Sequence, residues 1–459
     1  MSDVSRRSFL ATGVSVGVSA IAASAASRIG HGETPGTHPY PGEWNSEPPA
    51  DCPIPPSRRF HGLFFTGRHQ QYANADTWYP SWASDDVQYS SFADGSVLDA
   101  GGNKIEAHCD QGFDSTTGFA KIVGDDPLNL KVTALGNWKS SGMPYGGRYP
   151  CANMVYNGVW YYGTYCCDIN YRKTGNIAYN WAWLGPYLGC RYSMDLGKTW
   201  IESPCKPWEP LFPEDIHGKS EQLRALEHHK QQMTGDAPGS DIGSLIPGIG
   251  LPRLGVLHFV DFGRNMEHSP DGKAYLVGHG AAPDAPNPRL GAVSWLSGDA
   301  IYLTRVTLKP ETVNDGRQYE FFAGYDAQGH ARWSSRFEEM KPMLEWKNHL
   351  GSVTITYNPE LGRYLMCFTD GWPSTRTMST AVLESETVAG PWRLICYMKD
   401  FGAQGYFVNI PGKFIQPDGN TMWLCYSANF TNDWLHTHYA VDPPGSRYGM
   451  CLQQIRLVS

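Results

Sequence analysis

Asn157-Gly158-Val159-Trp160-Tyr161-Tyr162-Gly163-Thr164-Tyr165 reads as a polar turn feeding straight into an apolar, aromatic strand. Asn-Gly supplies the left-handed residues that a tight hairpin requires. The unit recurs. Ser269-Pro270-Asp271-Gly272 opens Lys273–Val277, Asn358-Pro359-Glu360-Leu361-Gly362 opens Arg363–Phe368, and Gln416-Pro417-Asp418-Gly419-Asn420 opens Thr421–Tyr426. Ser84-Asp85-Asp86 before Val87 and Ser297-Gly298-Asp299 before Ala300 are looser copies. The strands are apolar on both faces, as expected where sheets pack face to face. Short strands behind repeated Gly and Asp turns predict an all-β fold, a single β-propeller of about five to seven blades. The alternative architecture is a β-sandwich with insertions.

Ser193-Met194-Asp195-Leu196-Gly197-Lys198-Thr199-Trp200 matches the Ser-x-Asp-x-Gly-x-Thr-Trp pattern of the sialidase-like Asp box at every specified position. Such a box is a turn between outer strands, so Asp195 is read as structural. The alternating end, Met450 to Val458, is a strand able to close the ring against the first blade. Ser220 to Met233, SEQLRALEHHKQQM, carries helix formers behind a plausible Ser220 N-cap. It makes the insertion near 206–254 partly helical, as a lid or as inert decoration.

The N-terminus reads Ser5-Arg6-Arg7-Ser8-Phe9-Leu10, then an uncharged Ala/Val/Ser stretch from Ala11 to Ala26 containing Ala23-Ser24-Ala25. Basic, mildly apolar and then small is the order of a twin-arginine signal peptide. The alternative is a retained anchor, for which the stretch is short and weakly apolar. The domain reading is therefore a signal at 1–26, an extended Pro/Gly-rich arm at 27–59, and the propeller at 60–459. The expected partner is the twin-arginine export machinery, and the expected location is the periplasm or the medium. No later segment is apolar enough to cross a bilayer.

The formal net charge is -8 and no Lys/Arg block follows the signal, which argues against nucleic acid and anionic membranes as partners. Sixteen Trp and 25 Tyr suit either a β core or stacking on the C–H faces of sugars. The 11 Cys are an odd number, so at least one thiol is left over in any disulfide scheme. No Cys-x-x-Cys or His-x-x-x-His spacing indicates zinc.

Three groups of residues suit chemistry in the channel where a propeller's innermost strands converge. The first is Arg68-His69 followed by Asp76 to Asp86, with Trp82 beside the adjacent acids Asp85 and Asp86. One acid would serve as general base or nucleophile and the other as its orienter, unless both simply make the turn. The second is His258, Asp261, Glu267, His268 and His279, the densest titratable stretch. His there suits a base or metal ligand and Glu an acid, against hydrogen-bonded core residues as the alternative. The third is Arg148, Tyr162 and Arg191, where Arg offsets a uronate charge and Tyr relays a proton. Tyr162 is otherwise blade core. Asp370 is a further channel acid or a turn residue. No cofactor is required by these patterns, although an acidic channel could take Ca²⁺.

Trp82–Asp86, the Asn157–Tyr165 strand, the Asp box and the His258–His279 and Tyr319–Asp370 stretches together resemble carbohydrate-active β-propellers. The resemblance is to polysaccharide lyases of the ulvan and rhamnose–glucuronate type and to propeller glycoside hydrolases. It implies an exported enzyme cleaving glycosidic bonds of a polysaccharide, by lyase or hydrolase chemistry. The lyase likeness implicates Tyr162, Arg191, His258 and His279, with His69 as a further candidate. The alternative function is a non-catalytic glycan-binding propeller.

Overall fold

The computed structural model describes residues 40–168, 183–214, 216–232, 251–285, 293–371, 377–428 and 442–459. Their strands form five antiparallel sheets, the blades of a propeller. Blade one runs from the inner segments Asn74–Asp76 and Ser81–Trp82 outward through Gln88–Leu98, Thr116–Val123 and Lys131–Lys139. Blade two is Gly147–Tyr156, Val159–Asp168 and Trp183–Ser193. Blade three begins Val256–Phe259, Ala274–Gly280, Ala300–Val306 and Glu320–Tyr325. Blade four is Gly351–Asn358, Arg363–Asp370, Ser379–Ser385 and Arg393–Met398. Blade five takes Gly405–Asn409, Thr421–Ala428 and Met450–Val458 from the C-terminal part of the chain, and Gly62–Tyr72 from the N-terminal part.

The C-terminal strand thus closes the ring by pairing with Gly62–Tyr72, from Gly62 opposite Val458 to Tyr72 opposite Met450. The six turn-and-strand openings of the sequence resolve as one inner-to-second hairpin in each of the five blades, plus Ser297–Asp299, which opens the third strand of blade three. Asn157 and Gly158 take φ of 50° and 78°, the left-handed pair that an Asn-Gly hairpin provides. The insertion is partly helical: an α-helix spans Ser220–Gln232, and its Leu223 packs on Tyr145, Cys166 and Leu188 of blade two.

Hydrogen bonds tie four of the five pairs of neighbouring inner strands together. Asn153 of blade two donates its amide to the carbonyls of Tyr79 and Tyr89 in blade one, at 2.7 and 2.8 Å. The backbone of Asp261, just past the inner strand of blade three, bonds Ile355 and Tyr357 of blade four. Thr354 and Thr356 of blade four donate to Val408 and Ile410 of blade five, and Asn409 of blade five donates to Trp78 of blade one. Each bond satisfies a backbone acceptor that the channel wall would otherwise bury unpaired.

At Ser193–Trp200, Asp195 accepts from the Ser193 hydroxyl and from the backbone and hydroxyl of Thr199, and the Ser193 hydroxyl accepts from Gly197 N–H. The Thr199 hydroxyl, foremost, pulls the Asp195 carboxyl down to about 2. Trp200 meets Phe119 of blade one and Trp160 of blade two, at 5.1 and 5.3 Å between ring centroids.

All eleven cysteines are unpaired thiols, and all but the half-buried Cys52 are buried. Burial pushes the thiols up, Cys166 to about 12, which leaves them un-ionised and unreactive. A thiol reagent applied to native protein is expected to modify Cys52 quickly and the others only on unfolding. Rapid modification of several thiols in the native state would contradict this packing.

Candidate active site

Because each blade starts at the axis, the starts of the inner strands mark one face of the propeller, termed the upper face, and the inner-to-second hairpins mark the lower face. Second strands run back up, so their ends return to the upper face. The registers place Cys167 opposite Gly147, His279 opposite Val256 and Thr369 opposite Gly351. Asp168, His279 and Asp370 therefore reach the upper face from blades two, three and four. In blade one, Ala93 lies opposite Asp76, which puts Asp94 beside it.

Asp76 is buried, with one carboxylate oxygen accepting from the Tyr406 hydroxyl of blade five and the other from the Thr77 hydroxyl, each at 2.8 Å. The backbone around it is strained. Thr77, β-branched, holds φ of 64°, and Asp94 holds φ of 43°. A β-branched residue in the left-handed region is costly and persists only where the surroundings enforce it. Here Ser91 donates its hydroxyl to the Thr77 carbonyl, and Trp78 donates its indole N–H to Ala75 at 2.7 Å. Asp94 accepts from Cys109 N–H, and Asp168 from Gly146 N–H at 2.8 Å. Asp370 bonds the Tyr397 hydroxyl and His349 Nδ1, at 2.8 and 2.7 Å.

Lower down, all five blades line one small axial pocket. Tyr79 and His258 stand in its wall, ring centroids 4.1 Å apart. Burial, reinforced by nearby His279, pushes the His258 imidazole down to about 3. Burial pushes His279 down to about 4, and the Ser294 carbonyl it meets at 2.8 Å opposes this. Asp261 sits at the pocket edge, its oxygens accepting from Gly263 and Gly412 N–H at 2.9 and 2.7 Å. Burial raises it to about 6 against those two bonds.

These shifts predict a pH dependence of stability. The two histidines have folded values below the unfolded 6.5, so the unfolded chain takes up their protons first, and stability falls as pH drops below 6.5. Each contributes about 1.4 kcal/mol per pH unit. Asp261 has the opposite sign, since its folded value lies above 3.8, and it offsets one histidine between about pH 6 and 4. A net loss of about 1.4 kcal/mol per unit remains from these groups. Denaturant midpoints for wild type and His279→Gln at pH 7 and 5 check it. The variant should lose less on acidification, and equal losses would contradict the assignment.

The remaining sequence candidates are dispersed. Asp85 lies in the lower-face turn of blade one, accepting from Val87 N–H and the Tyr89 hydroxyl. Asp86 in the same turn bonds the Trp82 indole at 2.7 Å and pairs with Lys413. Glu267 and His268, 3.7 Å apart, lie in the lower-face turn of blade three. His69 is on the outer strand of blade five, 3.2 Å from the Tyr40 hydroxyl. Arg148, Arg191 and Tyr162 occupy the seam of blades one and two. Arg148 bonds Thr164 and Glu202, Arg191 bonds Thr117 and lies 3.9 Å over the Tyr162 ring, and the Tyr162 hydroxyl donates to Gly118. The structure thus joins His258 with Asp261 at the pocket, and brings His279 and Asp370 to the upper face. Asp76 stands in the sequence close to the more conspicuous Asp85-Asp86. Its backbone setting, with Tyr406 supplied from far along the chain, had no sequence signal, and neither did the second-strand ends at Asp94 and Asp168.

Among the described residues no group of three or more His, Cys, Asp or Glu is placed to hold a metal ion. Nor is any helix among them long and apolar enough to cross a membrane. The twin-arginine stretch lies outside the described residues.

No protein-family profile and no curated protein matches the sequence. Solved structures do match at low similarity. The α-L-arabinofuranosidase from Podospora anserina, solved with cellotriose, is 11% identical, with 92% of this chain and 99% of that one covered and a TM-score of 0.37. The GH43_1 enzyme from Xanthomonas citri, solved with xylotriose, is 11% identical over 85% and 88%, with a TM-score of 0.39. A protein of unknown function from Dyadobacter fermentans is 14% identical over 86% and 99%, with a TM-score of 0.38. These values are too low to carry a residue or a substrate across.

Proposed function

We propose that this protein is an exported enzyme that hydrolyses glycosidic bonds of a polysaccharide at the upper face of the propeller, with Asp76 as its central carboxylate. The observation that carries the reading is the setting of Asp76: buried, gripped by two hydroxyl donors, and flanked by strained backbone at Thr77 and Asp94. Strain of this kind concentrates at functional sites. Asp94 and Asp168 supply further carboxyl groups on the same face.

Hydrolysis of a glycoside needs two carboxyl groups with different tasks. One donates a proton to the leaving oxygen as the C–O bond breaks. The other is ionised, and either attacks the anomeric carbon or takes a proton from the incoming water. Asp76 is assigned the ionised task, because the hydroxyls of Tyr406 and Thr77 fix the orientation of its two oxygens. The acid is drawn from Asp94 and Asp168. Export is read from Arg6-Arg7 and the segment that follows. The β-elimination reading has less support, because Tyr162 and Arg191 are enclosed between blades.

The test is a screen of mature protein against uronate-containing and neutral polysaccharides, reading reducing ends and unsaturated-uronate absorbance together. Reducing ends without absorbance are expected. Absorbance would establish a lyase. Binding without product would establish a glycan-binding propeller.

A further inference from the structure

We infer that Trp295 is the platform on which a neutral sugar unit stacks beside the Asp76 carboxylate, an inference that deepens the reading of the upper face as a glycan site and rests on it. Trp295 lies in the connection between the second and third strands of blade three, from Gly280 to Ala300, which runs along the upper face. Its carbonyl is held twice by Ser352 near the start of blade four, by the backbone N–H at 3.1 Å and by the hydroxyl at 2.7 Å. Its ring rests on blade five, edge-on to Tyr406 at 5.1 Å between ring centroids and tilted against Phe407 at 5.0 Å. The Tyr406 hydroxyl is the one that donates to Asp76. A single aromatic ring therefore links the indole to the carboxylate.

Successive strand residues point to opposite faces, so a regular strand would not bring both Tyr406 and Phe407 to one ring. Here Phe407 holds φ of 56°, and the pairing with the next strand slips between Tyr406 and Asn409. A bulky residue in the left-handed region is costly. Ser352, which grips the Trp295 carbonyl, holds φ of 22°. Strained backbone thus supports Trp295 from two blades. Core packing alone does not account for this, because Trp295 stays partly exposed. Its indole N–H makes no hydrogen bond with any described residue, and it is open to solvent where those of Trp200 and Trp392 are sealed. A flat apolar face with a spare donor at its rim fits a sugar, whose C–H face covers the ring while a hydroxyl accepts from the N–H. Leu296, Met378, Tyr406 and Phe407 form the cluster on which the indole packs. A uronate carboxylate laid against that cluster would lose its hydration, so the stacked unit is neutral.

Calorimetry tests the platform with xylotriose, cellotriose, arabinotriose and the acidic trigalacturonate. Titrations use Asp76→Asn, so that no probe is cleaved, alone and combined with Trp295→Ala or Trp295→Phe, and circular dichroism checks each fold. At least one neutral trisaccharide is expected to bind Asp76→Asn, with affinity falling about tenfold or more when Trp295→Ala is added. Trp295→Phe keeps the packing on blade five with a smaller flat face, so its loss should be about threefold, and it decides the matter if the Ala variant does not fold. Equal affinity with and without the indole overturns the inference, and leaves the hydrolase reading in place if wild type releases reducing ends. Trp295-dependent binding by a chain that releases none keeps the platform and removes the hydrolase. Binding of no neutral trisaccharide, or tighter binding of trigalacturonate, overturns the inference.

Discussion

Asp76→Asn is expected to lower kcat on the polysaccharide identified by the screen by about a thousandfold or more, while leaving the fold intact. The substitution keeps the shape of the side chain and removes its charge. The hydroxyls of Tyr406 and Thr77 each sit on a different oxygen. A hydroxyl can reverse from donor to acceptor, so the new amide NH₂ finds a partner on whichever side it falls. Stability should therefore change little, and the loss should appear in kcat more than in KM. Thermal melts and steady-state kinetics on one preparation separate the two effects. Asp85→Asn and Glu267→Gln, in lower-face turns, should stay within about twofold of wild type, the scatter expected away from the reacting atoms. Activity of Asp76→Asn within tenfold of wild type would remove Asp76 from the chemistry.

Trp160→Ala is expected to cost about 3–5 kcal/mol of stability. Trp160 is fully buried in the seam of blades one and two, edge-on to Tyr89 and Phe119, with ring centroids 5.1 and 5.9 Å away. Its indole N–H donates to Asn153 Oδ1 at 2.7 Å, and the Asn153 amide in turn holds the Tyr79 and Tyr89 carbonyls. Removing the indole opens a cavity and strands a buried acceptor, and both costs fall on the ring closure near the axial pocket. Trp160→Phe retains much of the ring and loses the bond, so it should cost less than Trp160→Ala. Denaturant midpoints for the three proteins decide the matter. A cost below about 1 kcal/mol for Trp160→Ala would mean that the seam relaxes around the gap.

The propeller was legible in the sequence because its hairpins are local. Asn157-Gly158, Asp271-Gly272 and Asp418-Gly419 announce turns through residues only one or two apart, and the aromatic strands behind them are contiguous. The blade count was less legible, because Ser297-Gly298-Asp299 has the same texture as the inner hairpins but leads into a third strand. The site was legible only in fragments. Asp85-Asp86 attracts attention as an adjacent pair, and the structure places both in a turn, where Asp is favoured for local backbone bonding. Asp76 is made notable by Tyr406, and the axial pocket by Tyr79 meeting His258, and ring closure alone brings those partners together. Periodicity within a strand carries no information about contacts of that kind. His258 and His279 share a face of blade three through the pairing of Val256 with His279 and of His258 with Val277, which is again a matter of register.

The central claim is that water is added across a glycosidic bond at the upper face. It is tested most directly by running the reaction in water enriched in heavy oxygen and weighing the oligosaccharide products by mass spectrometry. A hydrolase places one heavy oxygen in each cleaved product pair, and Asp76→Asn suppresses that labelled product along with the rate. Unlabelled, unsaturated products would instead identify an eliminating enzyme, and the role assigned to Asp76 would be wrong.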